Sequence, residues 1–497
     1  MTLFEYDFSI LFSFTGLACV SIGVLFGMLV GALPGLGPSV GCALLIPITY
    51  TMDPIPAVLL LISLYMGAEY GGSISSIVLG VPGTAAAVAT AIDGHEMAKK
   101  GLPGKSLAYS LYSSTIGGIW GCIILMTCTI PLMAVTINFS DPELCMISML
   151  GLSSIIMLGS EDPVKSIVSV AFGLLITSIG MDLLTGMQRY TFGITSMLDG
   201  IALVPMLTGL FAISEVLNLA SSGNLGSPTV RHKEGLRVKL TWNEFLNVFF
   251  LDIRCALIGT FAGVIPGMGA SPASWLAYTS AKASSKHPEE FGHGSPEGIS
   301  APESANNACV AGALVPLLSL GIPGSGTIAV VSSALIMQGI QPGPNLLRTE
   351  LDLVNSIFWG LLLATCLMFV FGRLTTSIYA RLLVIPNYML TTLILLISLI
   401  GAYAARRMMM DVWVAIIAGI FGYFMKKLKF SHPSFVLAFV LGSLIEKNFR
   451  RTLMLSSGSY LIFVTRPISC VFLVANVLLI LFIIVKRIRG KKSTIIQ

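Results

Sequence analysis

APESANNACVAGALVPLLSLGIPGSGTIAVVSSALIMQGIQPG occupies Ala301 to Gly343. A largely apolar run climbs from Ala308 to Ile322 and is cut by Pro323-Gly324, then by Ser325, Gly326 and Thr327. The apolar run resumes at Ile328. Proline removes a backbone donor and clashes with the preceding helical turn, and glycine frees the backbone. In a water-soluble chain this would be a surface turn. Here the flanks have membrane-grade hydrophobicity, where open backbone groups are tolerated only against protein or a polar cavity. Helices broken at that depth are a usual place to hold a polar solute.

The rest of the chain supports that setting. Of its 497 residues 55% are hydrophobic and 11% charged, with a mean hydropathy of +0.88. Ordinary soluble domains do not have this composition. The expected fold is an all-α polytopic membrane protein, with about 11–12 membrane segments of the length a bilayer demands. Continuous apolar runs, without alternation, exclude a membrane β-barrel. Nine cysteines stand singly in apolar segments, which suits packing rather than metal binding or disulfides. A net charge of +5, gathered in loops, speaks of orientation and not of nucleic acid. The N-terminus has no basic lead-in, so its first apolar segment reads as a retained helix.

Spans are expected near residues 8–30, 107–135, 143–159, 164–180, 196–219, 245–265, 353–372, 386–404, 411–425, 433–445 and 460–485. A further helix runs through Leu64 toward Tyr70-Gly71-Gly72-Ser73. Asp93 to Lys105 reads as a charged loop, and Lys282 to Asn307 as a polar stretch. The basic segment 221–243, with Arg231, His232, Lys233, Arg237 and Lys239, divides the chain into repeats at 1–220 and 244–497.

Four matches in the same order suggest a duplication. Gly31-x-x-Pro34-Gly35-x-Gly37 corresponds to Gly263-x-x-Pro266-Gly267-x-Gly269. Leu79-Gly80-Val81-Pro82-Gly83-Thr84 corresponds to Leu320-Gly321-Ile322-Pro323-Gly324-Ser325. Gly71 and Gly312 precede their prolines by the same distance, and the exits Lys100–Gly104 and Gln338–Gly343 are alike. Loop charge adds that the halves are inverted. The N-terminus carries Glu5 and Asp7 but no Lys or Arg, which places it outside. The linker and the tail Lys486–Lys492 are basic, which places both inside. The Pro-Gly pieces are then expected to be broken helices or re-entrant hairpins.

A half-helix that starts after Pro-Gly aims unpaired N–H groups and a positive dipole end into the gap. That makes an anion site without Lys or Arg. The candidate substrate and ion contacts are Gly35, Gly37, Ser39, Glu69, Gly72, Ser73, Gly83 and Thr84 in the first half. In the second they are Gly267, Gly269, Ser271, Asn306, Asn307, Gly324, Ser325 and Thr327. Ser73, Thr84, Ser325 and Thr327 could donate to carboxylate oxygens. Backbone carbonyls near Gly80 and Gly321 could take Na⁺. The plainer alternative gives each glycine to close helix packing and each proline to a kink. Glu69 is an ionisable residue in an apolar setting, so function is the default reading. Glu303 serves equally as a helix-end charge or as part of a site. Asp93, His95 and Glu96 read as loop charges. No enzyme is expected: Gly104-Lys105-Ser106 lacks the leading glycine and strand of a P-loop, and His95-Glu96 lacks the second histidine of a zinc protease.

GALPGLGPSVG (31–41), YGGSISSIVLGVPG (70–83), AIDGHEMAKKG (91–101), FGHGSPEGISAPESANNA (291–308) and LGIPGSGT…QGIQPGP (320–344) resemble the large membrane subunit of the tripartite tricarboxylate transporters. The likeness covers essentially the whole chain. It implies a secondary transporter of a bacterial inner membrane, with the N-terminus periplasmic and the C-terminus cytoplasmic. Its partners would be a periplasmic substrate-binding protein and a small four-helix membrane subunit. The solute would be a citrate-like organic anion, driven by a Na⁺ or H⁺ gradient without any bound cofactor. A passive anion channel is the alternative. Two positions depart from the family pattern: Gly80 stands where Asn is common, and Ala281 where an acidic residue is frequent.

Overall fold

Two series of five helices carry the centre of the protein. The first comprises Phe14–Ala32 (α1), Gly37–Thr49 (α2), Pro54–Leu79 (α3), Ala87–Lys99 (α4) and Pro103–Thr136 (α5). The second comprises Trp242–Val264 (α6), Ala270–Ser284 (α7), Pro296–Leu320 (α8), Gly326–Met337 (α9) and Leu351–Leu382 (α10). This computed structural model describes residues 7–33, 36–136, 139–158, 163–182, 185–221, 238–382 and 387–494. Most of the predicted linker, including Arg231, His232, Lys233 and Arg237, lies outside the described residues, as do Pro34 and Gly35.

Seven helices among the described residues are long and apolar enough to cross a membrane, and five further apolar helices are shorter. The protein is an all-α polytopic membrane protein. A two-stranded hairpin, Gly180–Met181 with Gln188–Arg189, is a small addition to that expectation.

Gly80 and Gly321 end α3 and α8 in the same way. Both are left-handed, with φ of 70° and 75°. Their N–H groups donate to Ser76 O and Leu317 O respectively, closing the last turn. The chain then doubles back. Gly83 N–H donates to Gly72 O (3.2 Å), and Gly324 N–H donates to Ala313 O (3.3 Å). A β-carbon on Gly83 would come within 2.0 Å of the Gly31 carbonyl, and one on Gly324 within 2.7 Å of the Gly263 carbonyl. Only glycine lets each elbow lie flat against its own helix pair.

The helix pairs themselves lock through glycine. Gly27 and Gly31 of α1 rest on the carbonyls of Leu64 and Ala68 of α3, and Gly71 of α3 rests on Met28. In the second series Gly259 and Gly263 of α6 rest on Ala305 and Cys309 of α8, and Gly312 rests on Thr260. Each contact in one pair has its counterpart at the matching sequence position of the other. Small residues allow backbones this close, which is the principal attraction between helices when the solvent is as apolar as the side chains.

Beyond these pairs the two series exchange partners. α5 lies chiefly against α8, and α10 against α3; α4 reaches α7 and α8, while α9 reaches α2 and α3. α3 and α8 are consequently buried almost throughout.

Three sequence expectations are corrected. The first span is not continuous from residue 8: Phe8–Phe12 is a separate short helix, because Ser13 caps α1 by accepting from Gly16 N–H. Asp93, His95 and Glu96 do not sit in a loop; α4 continues to Lys99, and Asp93 is fully buried. The second part of the Lys282–Asn307 stretch is a buried helix, since α8 begins at Pro296. Its serines and asparagines face protein rather than water, which composition alone does not reveal.

Candidate functional site

Four helix N-termini meet at one cavity of about 600 Å³ between the two series. Pro38 and Ser39 come from α2, Thr84–Ala86 precede α4, Gly267–Pro272 lead into α7, and Ser325–Thr327 open α9. α2, α4 and α7 have no side-chain cap, so orphan N–H groups of their first turns lie at the cavity, although Pro38 supplies none in α2 and Ala87 N–H donates to the Thr84 carbonyl (3.2 Å) in α4. α9 is capped by Ser325, whose hydroxyl accepts from Ile328 N–H (3.2 Å). Four helix N-termini at one volume add positive dipole potential to it; the lining has no Lys or Arg, and Glu69 is its one acidic side chain.

α3 supplies the remaining wall. Tyr65 and Glu69, one turn apart, both face the cavity. The Tyr65 hydroxyl lies 3.3 Å from Ser325 Oγ. Ser39 Oγ lies 2.8 Å from Thr327 Oγ1, so hydroxyls of opposite series close the cavity between α2 and α9. Gly267 N–H donates to Gly324 O (3.0 Å) and ties the α6–α7 break to the second elbow. Phe211 and Pro433 enter from helices outside the two series.

Of the residues singled out from sequence, Ser39, Glu69, Thr84, Gly267, Gly269, Ser271, Ser325 and Thr327 line this cavity. Gly37, beside it, turns the chain into α2 with φ 54°. Gly72, Gly83 and Gly324 stand behind the lining as the close contacts of the elbows. Asn306 donates from Nδ2 to the Glu69 backbone carbonyl (3.3 Å). Asn307 donates instead to Met66 O (3.2 Å) and sits among sulfur atoms. Gly80 and Gly321 are helix caps away from the lining. Gly35 lies outside the described residues.

Ser73 is not a donor to this cavity. Its hydroxyl donates to Glu303 Oε2 (2.6 Å), joined there by Ser110 (3.1 Å) and Ser114 (2.9 Å). Thr90 donates to Glu303 Oε1. Glu303 is therefore neither a helix cap nor an exposed end charge. It is a buried acceptor that fastens α3, α4 and α5 onto α8. Asp93 has a comparable role: its Oδ1 accepts N–H groups of Gly292, Gly294 and Ser295, each at 2.8 Å, and its Oδ2 accepts from Tyr278 (2.9 Å).

The two departures have simple settings. The left-handed cap at Gly80 is the conformation that Gly and Asn share most readily. A β-carbon there would come within 2.8 Å of the His95 ring, so glycine also leaves room for that imidazole. Ala281 packs in an apolar cluster with Cys255, Tyr278 and Phe291.

A second cavity, of about 650 Å³, lies beside the 180–189 hairpin. It is a weaker candidate, because Arg189 pairs with Glu446 (2.7 Å) and Arg450 with Asp182 (2.6 Å) across it.

Residues 17–437 match the family described as tripartite tricarboxylate transporter TctA. An Agrobacterium vitis protein described as an uncharacterized 52.8 kDa protein in the TAR-I ttuC' 3' region is 35% identical over 481 residues, covering 95% of this chain and 94% of that one. A second Agrobacterium vitis protein, from the TAR-II ttuC' 3' region, is 34% identical over 241 residues, which is 48% of this chain and 98% of that one. No solved structure matches the chain. By the extent of the family match, with the broken helices and cavity that accompany it, this chain belongs to the tripartite tricarboxylate transporter TctA family.

Proposed function

We propose that this protein carries out secondary active uptake of a tricarboxylate- or dicarboxylate-type organic anion, driven by a cation gradient. The single observation that carries the reading is the convergence of four helix N-termini on one cavity between the two series. Such ends bind carboxylates through N–H groups and dipole together. The matching glycine contacts support a duplicated architecture, with repeats at 1–220 and 244–497. Loop charge supports their inversion, with the N-terminus periplasmic and the C-terminus cytoplasmic.

An ionised Glu69 gives the cation a role. Two like charges about 6 Å apart, at an effective dielectric of about 20, repel by about 3 kcal/mol. An incoming carboxylate shares its cavity with the Glu69 side chain. A cation carried together with the anion offsets that repulsion. In this reading a periplasmic binding protein delivers the anion, a small four-helix membrane subunit completes the complex in the inner membrane, and the elbows close around the solute. The part carrying both elbows then moves against the outer helices.

Reconstituted vesicles test the reading. Uptake that needs both the binding protein and an imposed cation gradient supports it. Gradient-independent equilibration of the anion, the behaviour of a passive channel, would end it.

A further inference from the structure

We propose that Glu69, Thr84 and Asn306 form a site for a hard monovalent cation of the Na⁺ type on the wall of the anion cavity. The proposal deepens the transport reading and rests on it for its purpose. The site itself is read from three side chains.

Glu69 is 4% exposed, Thr84 5% and Asn306 0%. The Thr84 hydroxyl and the Asn306 side chain stand beside the Glu69 carboxylate. Despite this proximity no well-aligned hydrogen bond among the described residues reaches Glu69 Oε2, Thr84 Oγ1 or Asn306 Oδ1. Buried oxygens are normally paired, and each one left unmatched is costly. All three can accept and only the Thr84 hydroxyl can also donate; they are drawn from α3, the first elbow and α8. With one proton among them, hydrogen bonds can pair at most two of the three. Coordination of a hard cation has no such requirement, and carboxylate, amide and hydroxyl oxygens are its preferred ligands. One ion would satisfy the three at once.

The backbone has been shaped for this placement. Gly72 lies three residues after Glu69 on the same face of α3. A β-carbon on Gly72 would come within 2.5 Å of Thr84 Oγ1. The missing side chain lets Thr84 settle over α3 beside the carboxylate. The Asn306 amide donates to the Glu69 carbonyl, which fixes that side chain beside Glu69. The counterparts of Glu69 and Thr84 in the second series are Val310 and Ser325, and Ser325 is committed to capping α9. The site therefore belongs to the first elbow alone.

The test uses the purified full-length protein in detergent. NaCl is titrated against choline chloride at constant ionic strength, and Tm is followed. A ligand that binds only the folded state raises Tm in a saturable manner. The wild type is expected to show that rise. Glu69→Gln and Thr84→Val are expected to fold normally in choline chloride but to need about tenfold more Na⁺ or higher for half the effect. If Glu69→Gln does not fold, Thr84→Val, which removes one oxygen from a nearly unchanged shape, carries the test alone. A wild type indifferent to Na⁺, or variants that respond as the wild type does, would overturn the site. Anion uptake that persists without Na⁺ under an imposed proton gradient would remove this cation site while leaving the transport reading intact.

Discussion

Ser39 and Thr327 stand 288 positions apart in the chain, yet their hydroxyl oxygens lie 2.8 Å from one another across the cavity. One opens α2 and the other opens α9, so the bond joins a helix start of the first series to a helix start of the second. It marks where the two series meet around a shared cavity.

Breaking that bond should weaken anion handling more than folding. Thr327→Val and Ser39→Ala are each expected to raise KM for the transported anion several-fold, with Tm nearly unchanged. A double-mutant cycle on uptake in vesicles should yield a coupling of about 0.5–1.5 kcal/mol, the net worth of an ordinary hydrogen bond. Strict additivity would show that the two hydroxyls do not act together.

Glu303 should matter for stability. Its carboxylate accepts four hydroxyl donors from three helices. Glu303→Gln replaces one acceptor oxygen with a donor that faces other donors. A loss of about 2–3 kcal/mol is expected, in the range for buried hydrogen bonds to a charged group. Thermal unfolding in detergent would show it as a lower Tm, and an unchanged Tm would contradict the role.

Gly31 and Gly263 occupy matching places on α1 and α6. An added methyl at Gly31 would meet the Ala68 carbonyl at 2.0 Å, and one at Gly263 would meet the Cys309 carbonyl at 2.6 Å. Both Gly31→Ala and Gly263→Ala are expected to destabilise by about 1–3 kcal/mol, as overpacking does. The Gly31 variant should be the worse of the two. Relative Tm values check the order.

Asp93 holds the 292–295 backbone through three N–H groups on one oxygen. Asp93→Ala should release that segment. Hydrogen exchange at Gly292, Gly294 and Ser295 is expected to accelerate about tenfold or more, since each loses a charge-assisted bond. Unchanged protection there would mean that packing of Phe291 and Tyr278 suffices.

The breaks were legible from residues 31–37, 79–84, 263–269 and 320–325, because proline and glycine act on the backbone locally whatever surrounds them. Seven of the cavity-lining residues follow from those breaks, and Glu69 from its charge in an apolar run. Tyr65 has a usable signal in the sequence: it stands one turn before Glu69. Phe211 and Pro433 had none, since helices outside both series bring them in. The settings of Asp93 and Ser73 are not legible, because a short polar residue in sequence looks the same whether water or a buried partner satisfies it.

What the sequence by itself determined is the membrane class, the positions of the helix interruptions and their repetition, all consequences of composition and of backbone chemistry within a few residues. Tertiary structure alone decided which polar groups face the cavity and which are consumed in holding helices together. Ser73 and Thr84, both plausible donors on paper, part company there: one is bound to Glu303, the other lines the cavity. The physical reason is that a hydroxyl's partner is set by which helix faces it across the bundle, and that pairing joins residues hundreds of positions apart.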